Sequence, residues 1–272
     1  MKLHVSHRTV YRYVEPVRGI VQSHKLTPLT NGAQSVLAWH VHVEGAERGA
    51  TFRDGAGDIV DTISVRGPTE EVVVEVEGEV ETFDTSGVLR GHRETVVPDA
   101  YTRGTRWTRP DRALTELAER AVRGIAADDR LAQAHALCAA IADAISYTPG
   151  ETEHGTTAAE ALALGHGVCA DHAHALIAAG LSLDMPGRYV SGYLHSSAEV
   201  GAPEASHAWA ELWVPDLGWV AFDPSNRTCA DERYIRLGSG ANAAEAAPIR
   251  GIALGLGAED LDVAVAVTQS AQ

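Results

Sequence analysis

The chain has 272 residues, 45% of them hydrophobic, and 22 basic against 37 acidic side chains give it a formal charge of −15. This provides a core for one large or two modest domains, while the acidic balance repels phosphates and anionic lipid and so excludes nucleic acid and membrane surfaces as expected partners. Met1 to Arg8 lacks an apolar run of signal-peptide length and no segment reaches membrane-span length; with three widely spaced cysteines (Cys138, Cys169, Cys229) that form no disulfide framework, the expectation is a cytoplasmic protein.

The first hundred residues read as strands with turn punctuation. Val36 to Val43 alternates, with Leu37, Trp39, Val41 and Val43 on one face and His40 and His42 on the other. His4 to Val14, Ile59 to Val65 and Glu71 to Thr82 have the same character, and Asp54-Gly55-Ala56-Gly57-Asp58 is a glycine turn. A β-sandwich is the simplest product. Its histidines (His4, His7, His24, His40, His42) read as outward-facing strand positions rather than metal ligands.

A polar, proline-containing segment from Glu94 to Pro110 marks the expected boundary between a β-rich domain (1–100) and a second domain (101–272). Leu114, Leu117, Ala118, Ala121, Val122 and Ile125 have the spacing of an amphipathic helix opened by Pro110. Leu131, Ala134, Cys138, Ile141 and Ile145 give a second helix, with Cys138 on its apolar stripe as a core residue. Thr157-Ala158-Ala159-Glu160 has the form of a capping box, opening a short helix that stops at Gly165.

The loop Gly165-His166-Gly167-Val168 then delivers Cys169 to the first turn of a helix expected to run to about Asp184, ahead of Pro186. Backbone N–H groups in a first turn have no intrahelical acceptor, and the dipole there stabilises a thiolate and a developing oxyanion.

Beyond that helix the period becomes two. Arg188 to His195 reads as one strand, and Ser206 to Val214 as another with His207, Trp209, Glu211 and Trp213 on one face. After the turn Pro215-Asp216-Leu217-Gly218, Trp219 to Asp223 returns antiparallel. If Trp213 faces Trp219, Trp209 faces Asp223 and His207 lies one diagonal step from it, within about 7–8 Å between Cα atoms.

A cysteine at a helix start, a histidine and a carboxylate that orients it are the parts of an activated thiol: Cys169 as nucleophile, His207 as proton acceptor and donor, Asp223 as orienting group. Here the sequence resembles the transglutaminase-like superfamily with its papain-like core, through Gly167-Val168-Cys169-Ala170-Asp171, Arg188-Tyr189-Val190-Ser191-Gly192-Tyr193, Ser206-His207-Ala208-Trp209 and Gly218-Trp219-Val220-Ala221-Phe222-Asp223-Pro224-Ser225-Asn226. The resemblance implies an α+β fold, an N-terminal β-domain before helices packed on an antiparallel sheet, and Leu261 to Val267 as a closing strand. It also implies catalytic roles for Cys169, His207 and Asp223.

The expected activity is acyl transfer on a peptide or protein substrate, by hydrolysis of a peptide or glutamine amide, with the Cys169 N–H as one oxyanion donor. Glutamine cross-linking and a catalytically silent interaction module are the alternatives. No cofactor is expected. His166, Cys169, His172, His174 and His207 include metal-ligand types, but His174 leaves the Cys169–His172 helix face, and no loop has alternating oxygen ligands for calcium. His172 and His174 are expected to pack or face solvent, and Trp209, Trp213 and Trp219 to belong to the core.

Overall fold

The computed structural model describes residues 1–153, 155–196, 206–255 and 258–270. Four strands come first: β1 (Lys2–His24), β2 (Gln34–Val43), β3 (Ala46–Arg53) and β4 (Ile59–Thr82). β1 and β4 pair antiparallel from Lys2↔Glu81 to His24↔Asp61, with irregular register around Val17. β2 follows the Val74–Thr82 end of β4 and β3 its Ile59–Val65 end. The strand-rich region is thus one continuously hydrogen-bonded, curled sheet whose two longest strands run through both ends.

The sequence suggests separate strands at 59–65 and 71–82, and an end to the first near Val14, but each long strand continues through its break. Gly67 and Pro68 fall where the β1 ladder is interrupted, so no hydrogen bond is demanded of the proline nitrogen. A Cβ on Gly67 would stand 2.1 Å from the Val17 carbonyl oxygen, which restricts this close approach to glycine. A bulge between Val36 and Ala38 turns Leu37 out of the face it was expected to share with Trp39, leaving it exposed. Two of the histidines expected to face outward are buried: His7 lies between Tyr193 and Thr9, and His24 contacts Gln22.

The helical part follows: α1 (Arg112–Ala121), α2 (Arg130–Ala144), a short β5 (Ser146–Tyr147), α3 (Ala158–Leu164), β6 (His166–Gly167) and α4 (Cys169–Leu181). Asp111 and Asp129 cap α1 and α2, and Thr157 with Glu160 forms the expected capping box on α3. α4 ends at Leu181 rather than near Asp184, where the chain takes a positive φ of 54°.

A second antiparallel sheet has the order β10-β9-β8-β7-β11, formed by β7 (Gly187–Leu194), β8 (Ser206–Val214), β9 (Gly218–Asp223), β10 (Thr228–Cys229) and β11 (Tyr234–Gly240). α4 packs on β8 and β7, and Leu176, Ile177, Leu212, Val220 and Phe222 share one core with α1 and α2. After α5 (Ala243–Ala246), β12 (Ile249–Ala253) and β13 (Glu259–Gln269) both pair with β1, so the closing strand completes the N-terminal sheet. Among the described residues, no helix is long and apolar enough to cross a membrane.

Candidate active site

Cys169 is the first residue of α4, as its glycine-rich approach predicts, and two devices fix it there. Gly165 ends α3 at φ 73°, and β6 then pairs parallel with β5, Ser146 N donating to Gly165 O and Thr148 N to Gly167 O at 2.9 Å each. Inside the turn, Asp171 Oδ2 accepts from the Val168 N–H at 2.9 Å and from Thr152 Oγ1 at 2.7 Å. A Cβ on Gly167 would lie 2.8 Å from that same carboxylate oxygen. The half-buried thiol is thus presented on a helix start whose geometry is locked from both sides.

The second sheet supplies the partners. Trp213 pairs with Trp219, the register on which the sequence expectation depends, and the ladder runs to Ala210↔Phe222. Beyond the end of that ladder, His207 Nε2 stands 2.6 Å from Asp223 Oδ2, and Cys169 lies near enough to join Asp223 in supporting charge on the ring. Because Nε2 is engaged by the carboxylate, Nδ1 is the ring nitrogen left to face the thiol. The structure thus brings together Cys169, His207 and Asp223 from α4, β8 and β9.

Burial, the largest single influence on His207, presses its imidazolium toward deprotonation. The hydrogen bonds and charges of Asp223 and Cys169 outweigh it and hold the ring up at about 10. Burial likewise opposes ionisation of Asp223, but His207, Ser225 and Asn226 together keep it well below the ordinary carboxylate range. Asp223 Oδ1 accepts from Ser225 Oγ at 2.5 Å and Asn226 N at 3.2 Å, and Oδ2 also accepts from Asn226 Nδ2 at 2.7 Å and Tyr234 Oη at 2.8 Å. Trp209 lies stacked beside His207, with ring centroids 6.3 Å apart.

His172 and His174 are both buried. The two His172 ring nitrogens lie 2.9 Å from the carbonyl oxygens of Val168 and Ile145, and His174 Nε2 accepts from the Ala243 N–H at 3.1 Å. Three of these four nitrogens are thus directed at backbone groups, while His174 Nδ1 is buried without a hydrogen-bond partner among the described residues. Trp209 and Trp219 are buried core residues, and burial pushes the Cys138 thiol up to about 12. Among the described residues, no group of three or more His, Cys, Asp and Glu side chains is placed to hold a metal ion.

Sequence reasoning missed what lies behind Cys169, His207 and Asp223. Arg188 of β7 donates to Glu211 of β8 at 2.6 Å and also to Glu94, and its guanidinium lies 4.1 Å from the Trp219 ring centroid. Arg236 of β11 donates to Glu211 at 2.9 Å and to Asp58 at 2.7 Å, and Asp58 Oδ2 accepts from Ser239 N and Oγ. Burial works against the Glu211 charge, but the two arginines overcome it and hold the carboxyl at about 2. This chain of charges ties the turn at 54–58 of the first sheet to the strands that carry the site. Tyr234, at the start of β11, was missed as well.

A family model described as the transglutaminase-like superfamily matches residues 115–224, and one described as the bacterial transglutaminase-like N-terminal region matches residues 3–81. An uncharacterized protein of Mycobacterium leprae is 32% identical over 295 residues, covering 99% of this chain and 99% of its own. The chain belongs to the transglutaminase-like superfamily. An uncharacterized protein of Mycobacterium tuberculosis (strain H37Rv) is also similar, 31% identical over 91% of this chain and 86% of its own. A solved structure of a provisionally assigned cysteine protease from Cytophaga hutchinsonii superposes with a TM-score of 0.73 over 100% of this chain and 92% of that one, at 20% identity. That likeness is one of fold, and it includes both the transglutaminase-like core and the strand-rich region before it.

Proposed function

We propose that this transglutaminase-like protein is a thiol-dependent acyl-transfer enzyme that hydrolyses amide bonds of a peptide or protein substrate. The observation that carries the reading is the 2.6 Å contact of His207 Nε2 with Asp223 Oδ2, in a ring whose charge is also supported by Cys169 at a helix start. Cys169 Sγ attacks the amide carbonyl as thiolate, and the Cys169 N–H receives the developing oxyanion. His207 as imidazolium gives its proton to the leaving nitrogen, the C–N bond breaks, and a thioester remains. Asp223 keeps the imidazole oriented and balances its charge. Water then gives a proton to His207 and attacks the thioester, and the thiolate leaves.

Incubation with a peptide library, with and without an added primary amine, followed by mass spectrometry, tests the reaction. The expected products are cleaved peptides or glutamine converted to glutamate, in both conditions. Products carrying the amine would assign the acceptor to an amine instead of water. Unchanged peptides in every condition would count for a silent module.

A further inference from the structure

We propose that Tyr234 is a positioning residue for this reaction, its hydroxyl setting how strongly Asp223 holds the His207 imidazolium. The proposal rests on the acyl-transfer reading of the same site.

Asp223 Oδ2 accepts three hydrogen bonds, from His207 Nε2 at 2.6 Å, Asn226 Nδ2 at 2.7 Å and Tyr234 Oη at 2.8 Å. Oδ1 accepts two more, from Ser225 Oγ and the Asn226 amide. A carboxylate offers about four lone-pair sites, so these donors already exceed what burial requires, and without the tyrosine every site still has one. The Tyr234 hydroxyl is therefore not needed to satisfy a buried acceptor. What it changes is charge: each donor withdraws density from the oxygen that His207 also uses, weakening that oxygen as a base. The phenol keeps its proton for this purpose, since burial and the neighbouring carboxylate both raise its pKa.

The packing fixes the donor's direction. The Tyr234 ring meets Trp209 edge-on, with centroids 5.4 Å apart at 83°, and lies 6.0 Å from the His207 ring. The other titratable and charged groups facing this pair are Cys169 on α4, Cys138 on α2, and Arg233 and Asp231 beside Tyr234. Each of them is left in place by Tyr234→Phe, which removes one oxygen and keeps the ring.

The test is the NMR titration of His207 in the histidine-labelled full chain, for wild type, Tyr234→Phe and a control, Tyr193→Phe, whose lost hydroxyl contacts His7 instead. Tyr234→Phe should raise the His207 midpoint by about one unit, and the alkaline limb of amide hydrolysis should move with it. Tyr193→Phe should leave both where they are. An unmoved His207 midpoint in folded Tyr234→Phe would overturn the proposal, as would an equal shift in Tyr193→Phe. If His207 shifts as expected but wild type cleaves no peptide, the positioning role stands and the hydrolytic reading fails.

Discussion

His207 and Asp223 lie sixteen residues apart in sequence, yet Nε2 and Oδ2 are separated by 2.6 Å, because β8 and β9 fold back on each other across Trp213↔Trp219. The contact is partly buried and decides which ring nitrogen faces Cys169. Replacing the carboxylate while keeping its shape removes the charge that supports an imidazolium. Asp223→Asn should therefore lower amide hydrolysis by about 10³–10⁴-fold with the fold intact, as measured by turnover and circular dichroism on the same sample.

The same pair makes stability depend on pH in a defined window. His207 is held at about 10, above its ordinary 6.5, so its contribution is complete below 6.5 and disappears as pH rises through about 10. Asp223 is held below its ordinary 3.8, so its contribution is present above 3.8 and is lost as pH falls toward its depressed value. Thermal melts of wild type and His207→Gln should differ most near pH 6 and converge toward pH 10. A constant difference across that range would contradict the assignment.

Glu211 is the hub of the buried charges behind the site, contacted by Arg188 and Arg236, which are themselves almost fully buried. Glu211→Gln leaves the two guanidiniums facing a neutral amide. Urea denaturation should show a loss of about 3–5 kcal/mol, the range expected when one partner of a buried ion pair is removed. The carboxyl is held at about 2, below its ordinary 4.5, so its contribution is present above 4.5 and declines as pH falls toward 2.

Asp171 stitches the start of α4 through the Val168 N–H and Thr152 Oγ1. Asp171→Ala should cost about 1–2 kcal/mol, the scale of a lost helix cap, and should slow alkylation of Cys169 more than that of an unfolded-state thiol. Stability and labelling rate measured together separate loosening of the helix start from global unfolding.

What the sequence revealed follows from distance along the chain. Cys169 was legible because glycines, a helix pattern and a capping box lie within a dozen residues of it, and the His207–Asp223 pair because one tight turn sets the register of two adjacent strands. Arg188 and Glu211 read as ordinary strand positions and Arg236 has no reading from sequence, since the further partners of the two arginines, Glu94 and Asp58, come from far earlier in the chain. Tyr234 carries no local pattern, and its role depends on β11 joining β7 across the sheet. The expected strand ends at Val14, short of the true β1, which passes Glu15 and Pro16 at an irregularity in the ladder where a proline interrupts the local pattern.

The central claim is that Cys169 is an activated nucleophile, and iodoacetamide labelling of the native protein across pH, resolved by residue with mass spectrometry, tests it most directly. Cys169 should be modified rapidly below pH 7 and long before the buried Cys138, and His207→Gln should slow Cys169 toward the rate of a free thiol. A wild-type Cys169 that reacts no faster than a free thiol, or that is indifferent to His207→Gln, would contradict the account.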